Sequence, residues 1–232
     1  MMTPRPSESR GTHGPHNGQP VLRRGPAVAQ ARLAVILVHG RGDSAAGIIG
    51  LADEFVLDDV LWIAPQADGN TWYPYSFLSP IEQNEPDLSS GLSVIGGLVE
   101  SIAVEGIPAE RTVLMGFSQG ACLSQEFAAR NARRYHAVVG LSGGLIGPSG
   151  TPRNYAGSLS GTPVFIGCSD IDPHIPLARV QESAEVFRRM GATVDERIYP
   201  RMGHTINADE ISAVTELLRS ENSKRQTPKN KT

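Results

Sequence analysis

Six short runs of apolar residues recur along the 232-residue chain, and segments with helical periodicity separate them. Most of the runs are continuous in Val, Ile and Leu, which is typical of parallel strands buried on both faces. The predicted strands are residues 33–40, 61–65, 111–117, 137–143, 162–169 and 193–200. The predicted helices are residues 45–57, 89–105, 119–130, 178–190 and 209–220. Because strands that alternate with helices are joined by right-handed crossovers, the pattern predicts an α/β fold with a mostly parallel central sheet and helices on both faces.

Two segments have the character of sheet edges. Residues 193–200 alternate apolar and polar residues more than the other runs, which suits an edge strand. Residues 19–25 form a weaker run that we predict as an antiparallel edge strand. Residues 65–90, in contrast, have no periodicity, and a segment of this kind in a compact domain is usually functional, as a lid or a binding loop.

The chain is predicted to form one domain over residues 19–220. Residues 1–18 are rich in Pro, Gly, Ser and His, a composition typical of disorder. We therefore predict a disordered arm there, in which His13 and His16 are tail residues and not metal ligands. Residues 221–232 are polar and basic, and we predict a tail of the same kind.

Charge and composition exclude several classes of protein. Lys and Arg number 21 against 24 Asp and Glu, and the net charge of −3 gives no electrostatic footprint for nucleic acid. Two cysteines are too few for a disulfide framework. No stretch approaches the roughly 18 apolar residues of a membrane span, and the N-terminal segment lacks the apolar core of a secretion signal. We expect a cytoplasmic protein, monomer or homodimer, that acts on a small molecule without stable membrane association.

The strongest local motif is G-F-S-Q-G at residues 116–120, where a predicted strand meets a predicted helix. A nucleophile on so sharp a turn has a strained backbone, and small neighbours avoid clashes as the chain doubles back. The turn exposes the Ser118 hydroxyl at the carboxyl edge of the sheet, where the following helix can stabilise a developing oxyanion. The motif therefore predicts that Ser118 is a nucleophile.

A serine nucleophile needs a base, and the base needs an acid that orients it. Downstream of the motif, the predicted strand 162–169 is followed by Asp170 and Asp172, and the predicted strand 193–200 is followed by His204. Serine, acid and histidine then occur in the chain order of α/β-hydrolases. Each lies at the carboxyl end of a strand, where ligands bind in open α/β sheets.

A tetrahedral intermediate also needs hydrogen-bond donors. One is predicted to be the backbone amide of Gln119, the residue after the nucleophile, and the other comes from the loop at residues 39–43. Glycines in that loop allow close backbone approach, and we predict the amide of Arg41 as the second donor. His39 lies in the same turn, and we predict a structural hydrogen-bonding role for it.

Aromatic residues cluster in the long loop, in the segment W-Y-P-Y-S-F at 72–77. One interpretation is a small satellite core that holds the loop, and the other is a wall of the substrate pocket. The two interpretations are compatible. We predict that Trp72 and Tyr73 contact the substrate. Cys122 and Cys168 are predicted to be buried, reduced thiols. No clustered ligand set suggests zinc, and we expect neither a metal nor a cofactor.

Five segments together resemble the phospholipase/carboxylesterase family of small α/β-hydrolases, which includes the acyl-protein thioesterases. They are LVHGRGD, WYPYSF, GIPAERTVLMGFSQGACLS, GCSDIDPHIPL and GHTI, and the resemblance covers about residues 19–220. Arg41 and the Trp-Tyr-Pro segment make the chain similar to the bacterial carboxylesterase branch. The resemblance implies an α/β-hydrolase fold with a minimal cap. It also implies that the acid is Asp172, which precedes a proline, and not Asp170.

We expect a serine carboxylesterase that hydrolyses short to medium-chain carboxylic esters through an acyl-enzyme. An acyl thioesterase or a lysophospholipase would use the same triad and is the alternative within enzymes. Outside enzymes, the alternative is a catalytically idle hydrolase fold that binds a ligand.

Overall fold

A seven-stranded sheet forms the centre of the computed structural model, which describes residues 14–220. The strand order is β1-β3-β2-β4-β5-β6-β7, and every neighbouring pair is parallel except β1 and β3, which are antiparallel. The strands are β1 Val21–Arg24, β2 Leu33–Val38, β3 Val60–Pro65, β4 Thr112–Phe117, β5 Ala137–Leu141, β6 Pro163–Ser169 and β7 Thr193–Tyr199. The predicted strands are confirmed, including the antiparallel edge β1 and the parallel edge β7.

Helices cover both faces of the sheet. They are α1 Ala45–Ile48, α2 Ala52–Phe55, α3 Asp87–Glu105, α4 Gln119–Arg130, α5 Leu177–Arg189 and α6 Ala208–Arg219. Alternate residues of β2 face opposite cores: Ile36 belongs to the core that includes residues of α3, α4 and α5, whereas Val35 belongs to the core that includes residues of α1, α2 and α6. This alternation explains why the central strands are apolar without interruption, since each face of the sheet buries its own layer of side chains.

Two of the predicted elements differ in detail. The single helix expected at 45–57 is three short pieces, because a 3-10 turn at Ile49–Leu51 separates α1 from α2. The segment ends where Val56 takes a left-handed conformation with φ 47°. The long loop at 65–90 contains two 3-10 turns, Asp68–Asn70 and Ile81–Asn84, and α3 then begins at Asp87.

The N-terminal segment does not follow the prediction throughout. Residues 14–18 were expected to belong to a disordered arm, but they pack on the domain, and the His16 side chain is only 2% exposed. Its contacts with the long loop, described below, provide the physical reason. The remainder of the predicted arm, 1–13, and the predicted tail, 221–232, lie outside the described residues.

Helix α3 corrects the expectation about apolar stretches. Its 19 residues have the length and hydropathy of a membrane span. One stripe of the helix, which includes Leu88, Ile95 and Ile102, is fully buried against the core beside α4. Spacing of three, four and seven residues places such side chains on one helix face, so α3 serves here as a helix of the domain core.

Candidate active site

Ser118 lies on the turn between β4 and α4, with φ 54° and ψ −119°. Its amide donates to the carbonyl of Leu141 in β5 at 2.9 Å, which anchors the turn to the neighbouring strand. A Cβ atom on Gly116 would collide with Gly120, and one on Gly120 would collide with Val38. The glycines of the motif are therefore required by backbone contacts on both sides of Ser118.

His204 joins Ser118 and Asp172 in one line of hydrogen bonds. Its Nε2 lies 2.8 Å from Ser118 Oγ, and its Nδ1 lies 2.7 Å from Asp172 Oδ2. A neutral imidazole that donates from Nδ1 to the carboxylate leaves Nε2 free to accept from the serine hydroxyl. The structure thus brings the three predicted residues together from the ends of β4, β6 and β7.

The Asp172 carboxylate is held from three directions. Besides His204, the amides of His174 and Ile175 donate to Oδ1 at 2.8 and 3.0 Å, and the Cys168 thiol lies 3.7 Å from Oδ2. Burial by itself raises the pKa of this carboxyl, but the hydrogen bonds outweigh it, so the pKa of Asp172 lies below its ordinary value. Asp172 is consequently ionised when it faces His204.

Asp170 makes different hydrogen bonds from Asp172. Its Oδ1 accepts from the amide of Arg201 at 2.7 Å, and its own amide donates to the carbonyl of Tyr199 at 3.2 Å. It therefore ties the loop that carries Asp172 to the loop that carries His204, without contacting the imidazole. The geometry agrees with the choice of Asp172 as the acid.

The two predicted oxyanion donors belong to segments that adjoin Ser118. A Cβ atom on Gly40 would contact Ser118 Cβ at 3.4 Å, so the loop that continues into Arg41 adjoins the serine. Gln119 follows Ser118 directly, at the start of α4. Within residues 14–220, neither the Arg41 amide nor the Gln119 amide donates a hydrogen bond. Both are therefore free to bind an oxygen of a substrate.

Sequence reasoning missed what the side chains of these two residues do. The Arg41 guanidinium donates to the carbonyls of Tyr73, Pro74 and Tyr75 at 2.7 to 2.9 Å. The Gln119 side chain accepts from the Trp72 amide at 2.9 Å and donates to the Tyr73 carbonyl at 2.9 Å. The aromatic loop is thus fastened to the same two residues whose amides are the predicted oxyanion donors.

Trp72 and Tyr73 lie in different places relative to the cleft at Ser118. Trp72 is 0% exposed, its indole nitrogen donates to the carbonyl of His39 at 3.0 Å, and it does not border the cleft at Ser118. The predicted substrate contact of Trp72 is therefore wrong, because the indole is used to support the loop before Arg41. Tyr73 does line the cleft, so its predicted contact with substrate stands as a prediction.

His39 and His16 lie on either side of Trp72. The structural role predicted for His39 is confirmed: Nδ1 bonds the carbonyl of Gly40 at 2.8 Å, and Nε2 accepts from the amide of Ala67 at 3.1 Å. Burial lowers the pKa of His39, which keeps the ring neutral. His16 bonds the Trp72 carbonyl through Nε2 and accepts from the Asp68 amide through Nδ1, both at 3.0 Å. No pattern in the sequence around His16 indicated these contacts.

The cleft at Ser118 has a volume of about 630 Å³. Its mouth is lined by exposed residues such as Arg41, Tyr75 and His174, and its inner wall by buried ones such as Tyr73, Phe77 and Cys122. Cys122 and Cys168 are free and buried, as predicted, and burial raises the pKa of each thiol to about 12. Among residues 14–220, no group of three His, Cys, Asp or Glu side chains could hold a metal ion.

A mostly parallel sheet with a serine, a histidine and an aspartate joined at its carboxyl edge defines the α/β-hydrolase class. Within that class, the chain belongs to the phospholipase/carboxylesterase family, which it matches over residues 26–222. The predicted fold and the predicted family are both confirmed. The chain is therefore a member of a family of hydrolases.

Three relatives illustrate this membership. A phospholipase/carboxylesterase from Dyadobacter fermentans is 44% identical, with a TM-score of 0.84 over 87% of this chain and 97% of that one. Acyl-protein thioesterase 1 of Gibberella zeae is 28% identical over 84% of this chain and 93% of its own length. The carboxylesterase of Bacillus cereus is 18% identical over 87% of this chain and 94% of that one, with a TM-score of 0.68, and shares the fold.

Proposed function

We propose that the protein is a serine carboxylesterase that hydrolyses short to medium-chain esters through an acyl-enzyme. The observation that carries the proposal is the position of His204, within hydrogen-bond distance of both Ser118 Oγ and Asp172 Oδ2. General-base activation of a serine hydroxyl requires this contact, and the acid must orient the base from its other nitrogen.

In the first half of the proposed reaction, Ser118 Oγ attacks the ester carbonyl and its proton passes to His204 Nε2. The amides of Arg41 and Gln119 donate to the oxyanion that forms, and removing one such donor typically costs about 10²–10³ in turnover. Asp172 stabilises the imidazolium. The bond to the alcohol then breaks, and the alcohol leaves with the proton from His204.

In the second half, water enters the cleft and gives a proton to His204 Nε2 as its oxygen attacks the acyl carbonyl. The tetrahedral intermediate uses the same two amides, which explains why both should stay free of internal partners. Collapse of the intermediate releases the carboxylic acid and returns the proton to Ser118. Every proton in this cycle is moved by residues of the chain.

A thioesterase is the second candidate, because several relatives at 25 to 28% identity bear the name acyl-protein thioesterase 1. The Dyadobacter fermentans relative, at 44% identity, favours the esterase. We further propose that the substrate is a small-molecule ester. We also propose that the protein is cytoplasmic, because free thiols such as Cys122 and Cys168 stay reduced in that compartment. Monomer or homodimer remains a prediction.

The proposal is tested with a fluorophosphonate probe and paired substrates. The probe should label wild type at Ser118, and the Ser118→Ala variant should not react. Ser76→Ala removes another serine of the same cleft and should retain labelling. Oxygen esters and thioesters of the same acids then separate the two candidates by their kcat/KM. Absence of labelling in wild type would leave the ligand-binding alternative in place.

A further inference from the structure

Two aromatic rings beside the His204 imidazole have no part in the proposed reaction. The Phe117 ring centroid lies 5.0 Å from that of His204, at an interplanar angle of 37°. The His174 ring centroid lies 4.8 Å away, at 74°. Both residues border the cleft at Ser118, where His174 is exposed and Phe117 is half-buried. The part of the cleft next to His204 is therefore aromatic and accessible to a ligand.

The proposed reaction determines which part of an ester meets these rings. Four groups surround the carbon under attack: Ser118 Oγ, the oxyanion, the alcohol oxygen and the acyl chain. The alcohol oxygen takes its proton from His204 Nε2, which lies 2.8 Å from Ser118 Oγ. The alcohol group of the substrate therefore lies against the imidazole and the rings that adjoin it. The acyl chain extends away from His204, toward the inner wall of the cleft.

The His174 side chain is available to a bound molecule. Its backbone amide donates to Asp172 Oδ1 at 2.8 Å, whereas its ring nitrogens form no hydrogen bond within residues 14–220. The ring can thus pack against an alcohol group without giving up an internal hydrogen bond. Because the amide holds Asp172, a change of the side chain alone leaves that contact in place.

The Phe117 ring is placed between the imidazole and the loop of the predicted oxyanion donor. A Cβ atom on Gly40 would contact Phe117 Cδ1 at 3.5 Å, and the other neighbour of the ring is His204. Aromatic rings attract one another beyond the burial of their surface when their centroids are about 4.5 to 7 Å apart. A substrate ring that enters this part of the cleft extends the same cluster, which a saturated ring of similar size cannot do.

We propose that Phe117 and His174 form a subsite for the alcohol group of the substrate, and that this subsite prefers an aromatic ring. The preferred substrates are then short to medium-chain esters of aromatic alcohols. This inference rests on the proposed esterase function and names the class of alcohol. It makes Phe117 and His174 specificity-determining residues.

The test compares benzyl butanoate with cyclohexylmethyl butanoate. Both esters give the same acyl-enzyme, so a difference in kcat/KM arises before the alcohol leaves. The measured quantity is the kcat/KM of the benzyl ester divided by that of the cyclohexylmethyl ester, and intrinsic reactivity cancels when this ratio is compared between enzymes. His174→Leu and Phe117→Leu should each lower the ratio about threefold to tenfold, which is the effect of one lost aromatic pair. Tyr75→Leu removes an exposed ring from the loop at the mouth and should leave the ratio as in wild type.

A second measurement uses the subsite in the reverse direction. Vinyl butanoate acylates Ser118, and equal concentrations of benzyl alcohol and cyclohexylmethanol then compete for the acyl-enzyme. The alcohol oxygen attacks the acyl carbonyl, its proton passes through His204 to Ser118 Oγ, and the bond between Ser118 and the acyl group breaks. Wild type should form about threefold to tenfold more benzyl ester than cyclohexylmethyl ester, and His174→Leu should form the two in more equal amounts.

Unchanged ratios in both His174→Leu and Phe117→Leu, or a larger fall in Tyr75→Leu than in either, would overturn the inference. His174 is exposed, so His174→Leu decides the outcome if Phe117→Leu does not fold. The esterase proposal would survive as long as wild type hydrolyses both esters and Ser118→Ala hydrolyses neither. If wild type hydrolysed neither these esters nor p-nitrophenyl butanoate, the two proposals would fail together.

Discussion

Ser118 combines the side chain of the proposed nucleophile with an unfavourable backbone conformation. At φ 54° and ψ −119°, any residue with a Cβ atom is strained, and such strain is typical of functional sites. We expect Ser118→Gly to be more stable than Ser118→Ala by about 1 kcal/mol, because glycine adopts this conformation freely. Both variants should lose ester hydrolysis. Urea denaturation compares the two, and an alanine variant as stable as the glycine variant would contradict the strain.

Asp172 and Asp170 provide a matched pair. Asp172→Asn should lower kcat by about 10⁴, the loss known for this substitution in a well-studied triad, because His204 then adopts the wrong tautomer. In Asp170→Asn, the amide oxygen can still accept from the Arg201 amide, so activity should fall less than about tenfold. Steady-state measurement of kcat on one soluble ester compares the two variants. A larger loss in Asp170→Asn would show that the acid is misassigned.

The position of a single residue was predictable where the topology of the sheet restricts it. It was not predictable where the residue is either buried or exposed to the cleft depending on its tertiary contacts. Ser118 and His204 could be placed because a G-x-S-x-G turn and a later strand end must meet at the same edge of the sheet. Trp72 could not, since an aromatic residue in a loop either faces the cleft or supports it. Hydrogen bonds from His16 and to His39 settle the orientation of Trp72, and both partners are distant in sequence.

At the scale of elements, the N-terminal segment had no sequence signal. Residues 14–18 have the composition of a flexible arm, and their contacts reach across 56 and 74 positions to Trp72 and Ser90. Composition predicts disorder when a segment cannot bury apolar surface, but here ordering comes from hydrogen bonds to a histidine ring. Such pairing depends on tertiary structure that local patterns do not encode.

His16→Ala should therefore destabilise the domain. It leaves the Asp68 amide without its acceptor and the Trp72 carbonyl without its donor, which costs about 1–3 kcal/mol. Because Trp72 supports the loop before Arg41, turnover should fall as well. Gln19→Ala is the control, since its side-chain amide donates to the Asp68 carboxylate and not to a backbone group of the long loop. Denaturation midpoints of the two variants, equal to each other and to wild type, would contradict the role of His16.

Helix α6 contains a carboxyl group that makes stability depend on pH. Glu210 caps the helix with Asn207, but its Oε1 is buried without a partner in the described structure, and burial raises its pKa from 4.5 to about 7. Between these values the folded protein holds a proton that the unfolded chain has released. The contribution of this group to stability is therefore fully present below pH 4.5 and is lost as the pH rises to about 7.

Glu210→Gln removes this titration while it keeps an oxygen for the Asn207 amide. The variant should be more stable than wild type by about 1–2 kcal/mol at pH 8, with a smaller difference at pH 4.5. Urea midpoints at the two pH values measure the effect. A difference that is the same at both values would show that the carboxyl does not titrate between them.

For the whole molecule, the sequence predicts the class of fold but not the order of its strands. Continuous apolar runs identify parallel strands buried on both faces, yet they do not say that β2 lies between β3 and β4. That arrangement places the ends of β4, β6 and β7 along one edge. The connection between β5 and β6, residues 142–162, contains no helix or strand that could act as a large cap.

This lack of a large cap determines the expected range of substrates. The cleft has a volume of about 630 Å³, and the loop that covers it is fastened by Arg41 and Gln119. Each buried CH₂ adds about 0.8 kcal/mol of binding free energy only while the pocket encloses it. We therefore expect kcat/KM for p-nitrophenyl esters to rise over the first few carbons, peak at or below about eight carbons and fall for longer chains.

Measurements from acetate to palmitate, each below its aggregation limit, test this expectation. Phe77→Ala enlarges the cleft at its inner wall and should move the maximum to longer chains, because the removed ring leaves room for additional carbons. Tyr75→Ala, at the exposed mouth, should leave the position of the maximum unchanged. A maximum at palmitate in wild type would show that the cleft does not limit the length of the acyl chain. A thioesterase or a lysophospholipase would then be the better description of the enzyme.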